Sequence, residues 1–181
     1  MFNKSILFSA ILNSVFLVST PCFAESAEFA IYNQAPSIPP QIRAPSEYSP
    51  AVSIHAIGDQ IYQCTVTKET YSWVLQGPDA KLLDMNGHQV GKHYLGPTWE
   101  FNGNNRLGGK IIKRLNVDGN KAIAWLLIKV VTSHGNGLYS GVNFINRINT
   151  KGGLAPSIVC DANHLGSEKR VAYTADYIFY K

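Results

Sequence analysis

Alternation of apolar and polar residues is the dominant pattern of the chain after residue 50. Within residues 61–67, Tyr62, Cys64 and Val66 alternate with polar neighbours, which is the period of a β-strand with one buried face. Further runs of this kind predict strands over residues 52–56, 71–76, 80–85, 88–95, 111–117, 121–132, 138–149 and 170–180. The pattern therefore predicts an all-β domain.

Turn-forming dipeptides that contain glycine separate these runs. They are Gly58-Asp59, Gly77-Pro78, Asn86-Gly87 and Asp118-Gly119. The last two predict hairpins, and Asn-Gly suits the positive φ values of a two-residue type I′ turn. Short strands at this spacing are typical of an antiparallel β-sandwich or a closed β-barrel of roughly eight to ten strands. We expect a single domain of that class.

One stretch, residues 122–131, leaves helix and strand in competition. It is apolar throughout apart from Lys129, and periodicity does not separate a buried strand from a buried helix. The flanking turns, Asp118-Gly119 before the stretch and residues 134–137 after it, favour a central strand, and so does the content of β-branched residues.

The first 24 residues have the pattern of a cleaved secretory signal peptide. Lys4 precedes an apolar run over residues 5–20, and Ala24 supplies the small residue at the cleavage point. The run is shorter than the roughly 20 apolar residues of a membrane span, and the residues before Cys22 do not fit a lipoprotein signal. We predict a secreted or periplasmic protein with no membrane span after cleavage.

Residues 25–50 differ in composition from the domain that follows. Five prolines fall between Pro36 and Pro50, and each fixes φ and removes a backbone donor, which disfavours a helix or a central strand. This segment is predicted to be a linker or an arm that lies over the domain, and the all-β domain is predicted over residues 51–181.

Composition and charge add two constraints. The fifteen glycines and nine tyrosines favour short strands and tight turns over helices. Loss of Lys4 lowers the net charge from +4 to +3, an excess too small and too scattered to indicate nucleic-acid binding.

Cys64 and Cys160 are the two cysteines that remain after signal cleavage. In an oxidising compartment, an even number of cysteines favours a disulfide over two buried thiols. The bridge would tie an early strand to a late segment.

The histidines do not have the spacing of a metal site. His88 and His93 lie five positions apart on one predicted strand, so they face opposite sides unless Gly91 marks a bulge. The chain also lacks the His-x-His, Cys-x-x-Cys and His-Glu-x-x-His spacings of metal sites. We expect no metal and no cofactor.

Candidate catalytic residues are few. The chain has no Gly-x-Ser-x-Gly nucleophile motif, and Asp84, Glu100 and Asp176 are the acids that could serve as general acid or base. Asp176 lies on the face of the last strand opposite Tyr177, where a solvent-facing or hydrogen-bonded acid is ordinary.

Residues 96–105 form the most suggestive stretch for ligand binding. They place Trp99 and Glu100 between turn formers, where an exposed indole would stack on a sugar ring or another flat apolar ligand. The alternative is that Trp99 fills one end of the core. Residues 150–156 are rich in glycine but have no following helix, so they are interpreted as a tight turn and not as a phosphate loop.

Several motifs in order carry a family resemblance. They are GDQIYQC at 58–64, Trp73, GPTWE at 96–100, TKGGLAP at 150–156, Cys160 and YTADY at 173–177. The chain resembles a family of secreted bacterial and fungal proteins catalogued as a domain of unknown function, number three thousand four hundred and fifty-five. The resemblance covers residues 51–181 and implies no activity. A malate dehydrogenase label on some fungal members does not fit, because the chain lacks the Gly-x-Gly-x-x-Gly turn.

These observations favour a secreted, non-enzymatic binding or structural module of the cell envelope, with a saccharide or an envelope protein as its partner. The alternative function is an envelope hydrolase that acts on a saccharide or an ester. In that case Glu100, Asp84 or Asp176 would act as acid or base.

Overall fold

The computed structural model describes residues 37–102, 104–117, 119 and 121–181. The predicted signal peptide and residues 25–36 of the predicted linker lie outside this part of the chain. Within it, eight antiparallel strands form one closed barrel. Of the two architectures predicted from the sequence, the chain adopts the barrel.

The barrel is an up-and-down arrangement in which each strand pairs with the next and the last pairs with the first. The strands are β1 Pro50–Thr67, β2 Thr70–Leu83, β3 Gln89–Tyr94, β4 Thr98–Phe101, β5 Asn105–Leu115, β6 Trp125–His134, β7 Phe144–Gly152 and β8 Glu168–Tyr180. Pairing of β1 with β8 over residues 50–63 of β1 closes the sheet. Closure removes the unpaired edges that an open sheet would present to other chains.

The loops of such a barrel lie alternately at two ends. The connections after β2, β4 and β6 lie at one end, which we call the closed end. The connections after β1, β3, β5 and β7 lie at the other, which we call the open end. This alternation follows from the antiparallel order of the strands.

Two predicted turns are wrong because the strands run through them. β1 continues across Gly58, where β2 approaches so closely that a side chain would overlap the backbone of Asp79 and Ala80. Gly77 lies inside β2 at a bulge, since the pairing partner of Ile61 is Gly77 while that of Tyr62 is Leu75. Gly58 therefore permits close strand packing and Gly77 lies at a bulge, and neither glycine ends a strand.

The hairpin predicted at Asn86-Gly87 connects β2 to β3, but its two-residue turn is wrong. The last paired residues are Leu83 and Gln89, so the loop covers residues 84–88. The Asp84 carboxylate accepts hydrogen bonds from the backbone N–H groups of Asn86 and His88, each at 2.9 Å. This side-chain cap stabilises a wider loop than an Asn-Gly turn requires.

The ambiguous stretch is a strand where it forms regular structure, since β6 begins at Trp125. The residues just before β6 cross the open end instead. Ile123 is fixed there by two hydrogen bonds: its N–H donates to the Gly152 oxygen at 3.0 Å and its oxygen accepts from Thr150 Oγ1 at 2.6 Å.

The barrel interior is apolar towards the closed end. Phe101 stacks on Tyr139 with ring centroids 3.4 Å apart, and Phe179 contacts both rings edge-on. Tyr139 comes from the β6–β7 connection, which therefore folds inward over the end of the barrel. Val142 of the same connection joins this cluster.

A second apolar cluster lies on the outer face of β6, β7 and β8. Residues 37–49 run across this face, and Ile42, at the end of a short 3-10 turn Pro40–Ile42, is completely buried there against Leu127 and Phe144. Asn146 Nδ2 donates to the Ile42 oxygen at 2.8 Å. Among the residues that the structure describes, no helix has the length and apolar character to span a membrane.

The predicted disulfide is confirmed. Cys64 of β1 is bonded to Cys160 in the β7–β8 connection. Near it, Trp73 Nε1 donates to the Ile158 oxygen at 2.9 Å. The covalent bond and this hydrogen bond hold the long connection against the β1–β2 pair at the open end.

Candidate functional site

Trp99, the residue singled out for ligand stacking, is fully buried inside the barrel. Its indole stacks on the His93 ring with centroids 4.4 Å apart and meets the Tyr177 ring edge-on at 5.4 Å. Strand alternation directs Trp99 and Phe101 inward and Glu100 outward. The indole is therefore not available to a ligand outside the barrel. Trp99 instead fills part of the core, which is the alternative stated in the sequence analysis.

Glu100 lies on the outer wall in a network of donors. Its carboxylate accepts a hydrogen bond from the Tyr94 hydroxyl at 2.6 Å and forms ion pairs with Lys92 at 3.0 Å and Arg106 at 3.1 Å. The Tyr94 hydrogen bond, and after it Lys92, lower the pKa of Glu100. Glu100 also lines a pocket of about 420 Å³ with Arg106 and His134, as an ionised and already paired carboxylate.

The other two candidate acids lie on different elements. Asp84 caps the β2–β3 loop, and the hydrogen bond from the His88 N–H lowers its pKa. Asp176 faces outward from β8, as its strand parity predicted, and accepts from His55 Nδ1 at 2.6 Å and Asn149 Nδ2 at 2.8 Å. Asp84 thus has a structural role in its loop, and Asp176 is held by its own hydrogen-bonded partners.

A different group of residues forms a pocket of about 350 Å³ at the open end. It is lined by residues of β1, β2, β5 and β7 and of the β5–β6 and β7–β8 connections. The lining residues are Gln60, Tyr62, Leu75, Arg114, Asn116, Ala122, Ile123, Ala124, Arg147 and Leu154. Two of them carry a positive charge and none carries a negative charge.

Arg147 is the central charged residue of this pocket. It pairs with Leu126 on one side and Tyr177 on the other, both of which belong to the barrel interior, so its side chain points inward. Its Nε and Nη2 atoms donate to the Ala124 oxygen at 3.1 and 2.8 Å. In the described chain, no carboxylate lies within ion-pairing distance of the guanidinium.

Gln60 is the most deeply buried polar residue of the pocket, with 2% of its surface exposed. Its Nε2 atom has no hydrogen-bond partner among the described residues. A buried donor left unsatisfied costs about 1–3 kcal/mol, and such a group in a folded protein calls for an explanation. The position of Gln60 at a pocket that opens to solvent provides such an explanation, because a ligand in the pocket can accept the hydrogen bond from Nε2.

Glycine and tyrosine shape the rim beside Gln60. Gly153 is buried at φ 76°, and a Cβ there would lie 2.8 Å from the Tyr173 side chain and 3.1 Å from that of Gln60. The Tyr62 hydroxyl donates to the Gly153 oxygen at 2.7 Å. Only a glycine lets the backbone pass this close over the pocket in the left-handed conformation.

The titratable groups around Arg147 stay neutral at neutral pH. Burial raises the pKa of Tyr62 and Tyr177, and the nearby Arg147 opposes both shifts. Burial lowers the pKa of His93 to about 3. Since the Thr98 oxygen can only accept, His93 Nδ1 is the donor in their 2.8 Å hydrogen bond. Arg147 is therefore a cation among neutral groups.

Sequence reasoning missed Gln60 and Arg147. Gln60 shares the parity of Ile54 and Ala56, which indicates an inward position, but the turn predicted at Gly58 interrupted that pattern. In β7 both faces are buried, one in the barrel and one under residues 37–49, so alternation does not identify the inward face. A polar residue at an inward strand position was the available signal.

Comparison with known proteins identifies one family. The model for a protein of unknown function, DUF3455, matches residues 45–181. No curated protein and no solved structure matches the chain. In the part of the chain that the structure describes, no group of three or more His, Cys, Asp or Glu residues is placed to hold a metal ion.

Proposed function

The chain belongs to the DUF3455 family, whose description states no function, and we propose that it is a small-molecule binding module. The ligand enters the open end of the barrel and contacts Gln60 and Arg147. The observation that carries this proposal is the buried Gln60 Nε2 atom, which has no hydrogen-bond partner among the described residues, in a pocket that also holds the Arg147 guanidinium, with which no described carboxylate pairs. Mouths of β-barrels are frequent sites of ligand binding.

The proposal places this module outside the cytoplasm. The Cys64–Cys160 disulfide supports an oxidising compartment, where such bonds persist. The signal-peptide pattern of residues 1–24 supports secretion or a periplasmic location. A binding module in the cell envelope is consistent with both.

An envelope hydrolase is the second function that the sequence left open. Glycoside hydrolysis needs a general acid that is protonated near neutral pH, which requires a raised pKa. The pKa values of Glu100 and Asp84 are lowered by their hydrogen bonds, so both carboxylates are ionised there. These observations support the binding module over the hydrolase.

Substitution Gln60→Leu tests the proposed function, because it removes the amide and nearly keeps the side-chain volume. We expect the free energy of unfolding in urea to stay equal or rise by up to about 1 kcal/mol, since a buried unsatisfied donor is lost. In ¹H–¹⁵N spectra recorded with a library of small organic molecules, hits should shift the amides of Ile123 and Gly153. The same hits should bind Gln60→Leu more weakly.

Gln63→Leu is the matched control, because Gln63 lies on the same strand with its side chain on the outer face. It should leave both ligand binding and the shifts at Ile123 and Gly153 unchanged. A library without any hit at these amides, or hits that bind Gln60→Leu as tightly as the original protein, would refute the proposed function.

A further inference from the structure

The hydrogen-bonding groups of the open-end pocket are mainly donors. The Gln60 Nε2 amide and the Arg147 guanidinium face it from the barrel interior, and exposed Arg114 adds a second positive charge at the rim. None of the lining residues has a carboxylate. This combination complements an acceptor with a negative charge, because burying a cation without a partner is costly.

The hydrogen bonds of Arg147 determine which edge remains for a ligand. The Ala124 oxygen occupies the edge formed by Nε and Nη2. The second edge, formed by Nη1 and the other N–H of Nη2, donates to no backbone oxygen and no carboxylate in the described chain. The guanidinium also hydrogen-bonds the neutral Tyr177 hydroxyl. Two parallel N–H groups on one edge match the two oxygens of a carboxylate.

The rim of the same pocket is apolar. Leu75 is 48% exposed and Leu154 is 38% exposed, and both line the pocket. Leu75 pairs with Tyr62 across β1 and β2, and Leu154 directly follows Gly153. The buried Ile123 adds a third apolar side chain. A ligand whose charged end reaches Arg147 therefore has apolar surface beside it on the way out.

We propose that the open-end pocket binds a short amphiphilic carboxylate. The carboxylate pairs with the second edge of Arg147, beside the neutral Tyr177 hydroxyl, and accepts from Gln60 Nε2, and the alkyl part packs on Leu75 and Leu154. This inference rests on the proposed function and names its ligand class. At about 350 Å³, the pocket is near the lower end of the usual range for ligand sites, about 300–1,000 Å³, which favours a short chain.

Calorimetric titration with sodium octanoate, sodium hexanoate and 1-octanol at pH 7.5 tests the ligand class. Octanoate should bind at least about tenfold more tightly than 1-octanol, because the charge-assisted hydrogen bonds to Arg147 are lost with the alcohol. Octanoate should also bind more tightly than hexanoate, by up to about fourfold for each extra CH₂ group that is buried. The titration with 1-octanol also represents an esterified acyl chain, which lacks the negative charge. Weaker binding of 1-octanol therefore distinguishes a free carboxylic acid from an ester as the ligand.

Three variants assign these effects to residues. Arg147→Lys keeps the charge but loses the bidentate edge, so octanoate affinity should fall about tenfold. Leu154→Ser should reduce the difference between octanoate and hexanoate and leave the preference for octanoate over 1-octanol. Gln60→Leu should also weaken octanoate binding. It provides the test if Arg147→Lys does not fold.

The outcomes separate this inference from the proposed function. If 1-octanol shifts the amides of Ile123 and Gly153 and binds as tightly as octanoate, the carboxylate class is overturned while a ligand site at the open end remains. Unchanged octanoate affinity in both Arg147→Lys and Gln60→Leu also overturns it. If octanoate and hexanoate do not bind while other library molecules shift these amides, the pocket binds a ligand of another class.

Discussion

The two ends of the barrel are stabilised in different ways. At the closed end, aromatic rings from three elements fill the interior, and Phe101, Tyr139 and Phe179 contact one another directly. At the open end, the interior also holds the polar side chains of Gln60 and Arg147, and a disulfide ties the longest connection to β1. Apolar packing extends through the barrel, and buried polar groups and a covalent bond are added at the open end.

This difference indicates a division between stability and function. Buried apolar contacts contribute most of the free energy of folding, and the two core clusters, which include the ring cluster of the closed end, supply them. Unsatisfied donors and unpaired charges reduce stability, and proteins tolerate such groups at functional sites. The polar open end is therefore where the proposed ligand site lies.

The largest expected effect of a single substitution is at the closed end. Phe101→Ala should lower the free energy of unfolding by about 3–5 kcal/mol, because it leaves a cavity against Tyr139 and Phe179. Urea unfolding followed by tryptophan fluorescence measures it. Tyr71→Ala, at an exposed aromatic near the open end, is the control and should change stability by less than about 1 kcal/mol. Equal losses in the two variants would contradict the packing role of Phe101 at the closed end.

Removal of the disulfide should have a somewhat smaller effect, located at the open end. The bridge spans a sequence separation of 96 residues, and the double variant Cys64→Ala, Cys160→Ala should lose about 2–4 kcal/mol. Limited proteolysis should cut the β7–β8 connection of this variant before any strand.

Reduction of the unsubstituted protein is the matched comparison for that variant, since it breaks the same bond without changing a side chain. The two should have the same unfolding midpoint within error. Cleavage that begins at the closed end in either sample would show that the bridge does not act locally on the β7–β8 connection.

The expected effect that is smallest at neutral pH concerns His93 and grows as the pH falls. Its pKa is about 3 in the folded protein against an ordinary value of 6.5, so the unfolded chain binds an extra proton between these values. Stability should therefore be unaffected by His93 above pH 6.5 and fall by up to about 1.4 kcal/mol per unit as the pH drops below it. His93→Phe keeps a ring against Trp99 and should remove this part of the slope.

His134→Gln is the control for the pH profile, because His134 is exposed. Urea unfolding between pH 8 and pH 4 should give the same slope for this variant as for the unsubstituted protein. An unchanged slope in His93→Phe would mean that His93 is not buried in its neutral form.

Much of the fold was predictable because strand faces follow a local rule. The inward position of Tyr62 and Cys64, the outward position of Asp176 and the strand character of residues 125–131 all follow from alternation and flanking turns. The predicted turn at Gly58 was wrong because glycine also permits close strand contact, and that contact is with β2, about 20 residues later in the chain. Local sequence does not distinguish the two uses of glycine.

The candidate site was harder to predict than the fold. Trp99 was the most conspicuous residue of the sequence, yet its stacking partner His93 and the edge contact with Tyr177 bury it. Gln60 and Arg147 lie 87 positions apart in the chain and line the same pocket because β1 and β7 both pair with β8. Alternation indicates a face for each residue but not which distant residue shares that face.

The all-β class, most strand faces and the pairing of Cys64 with Cys160 follow from the amino-acid sequence, because each depends on residue spacing or on the number of cysteines after the predicted signal peptide. Sheet closure, the interior position of Trp99 and the shared pocket of Gln60 and Arg147 require long-range contacts. Closure depends on the pairing of β1 with β8, whose residues are more than 100 positions apart. Contacts at that separation form only when the whole sheet assembles, which is why the open end became visible only in the folded barrel.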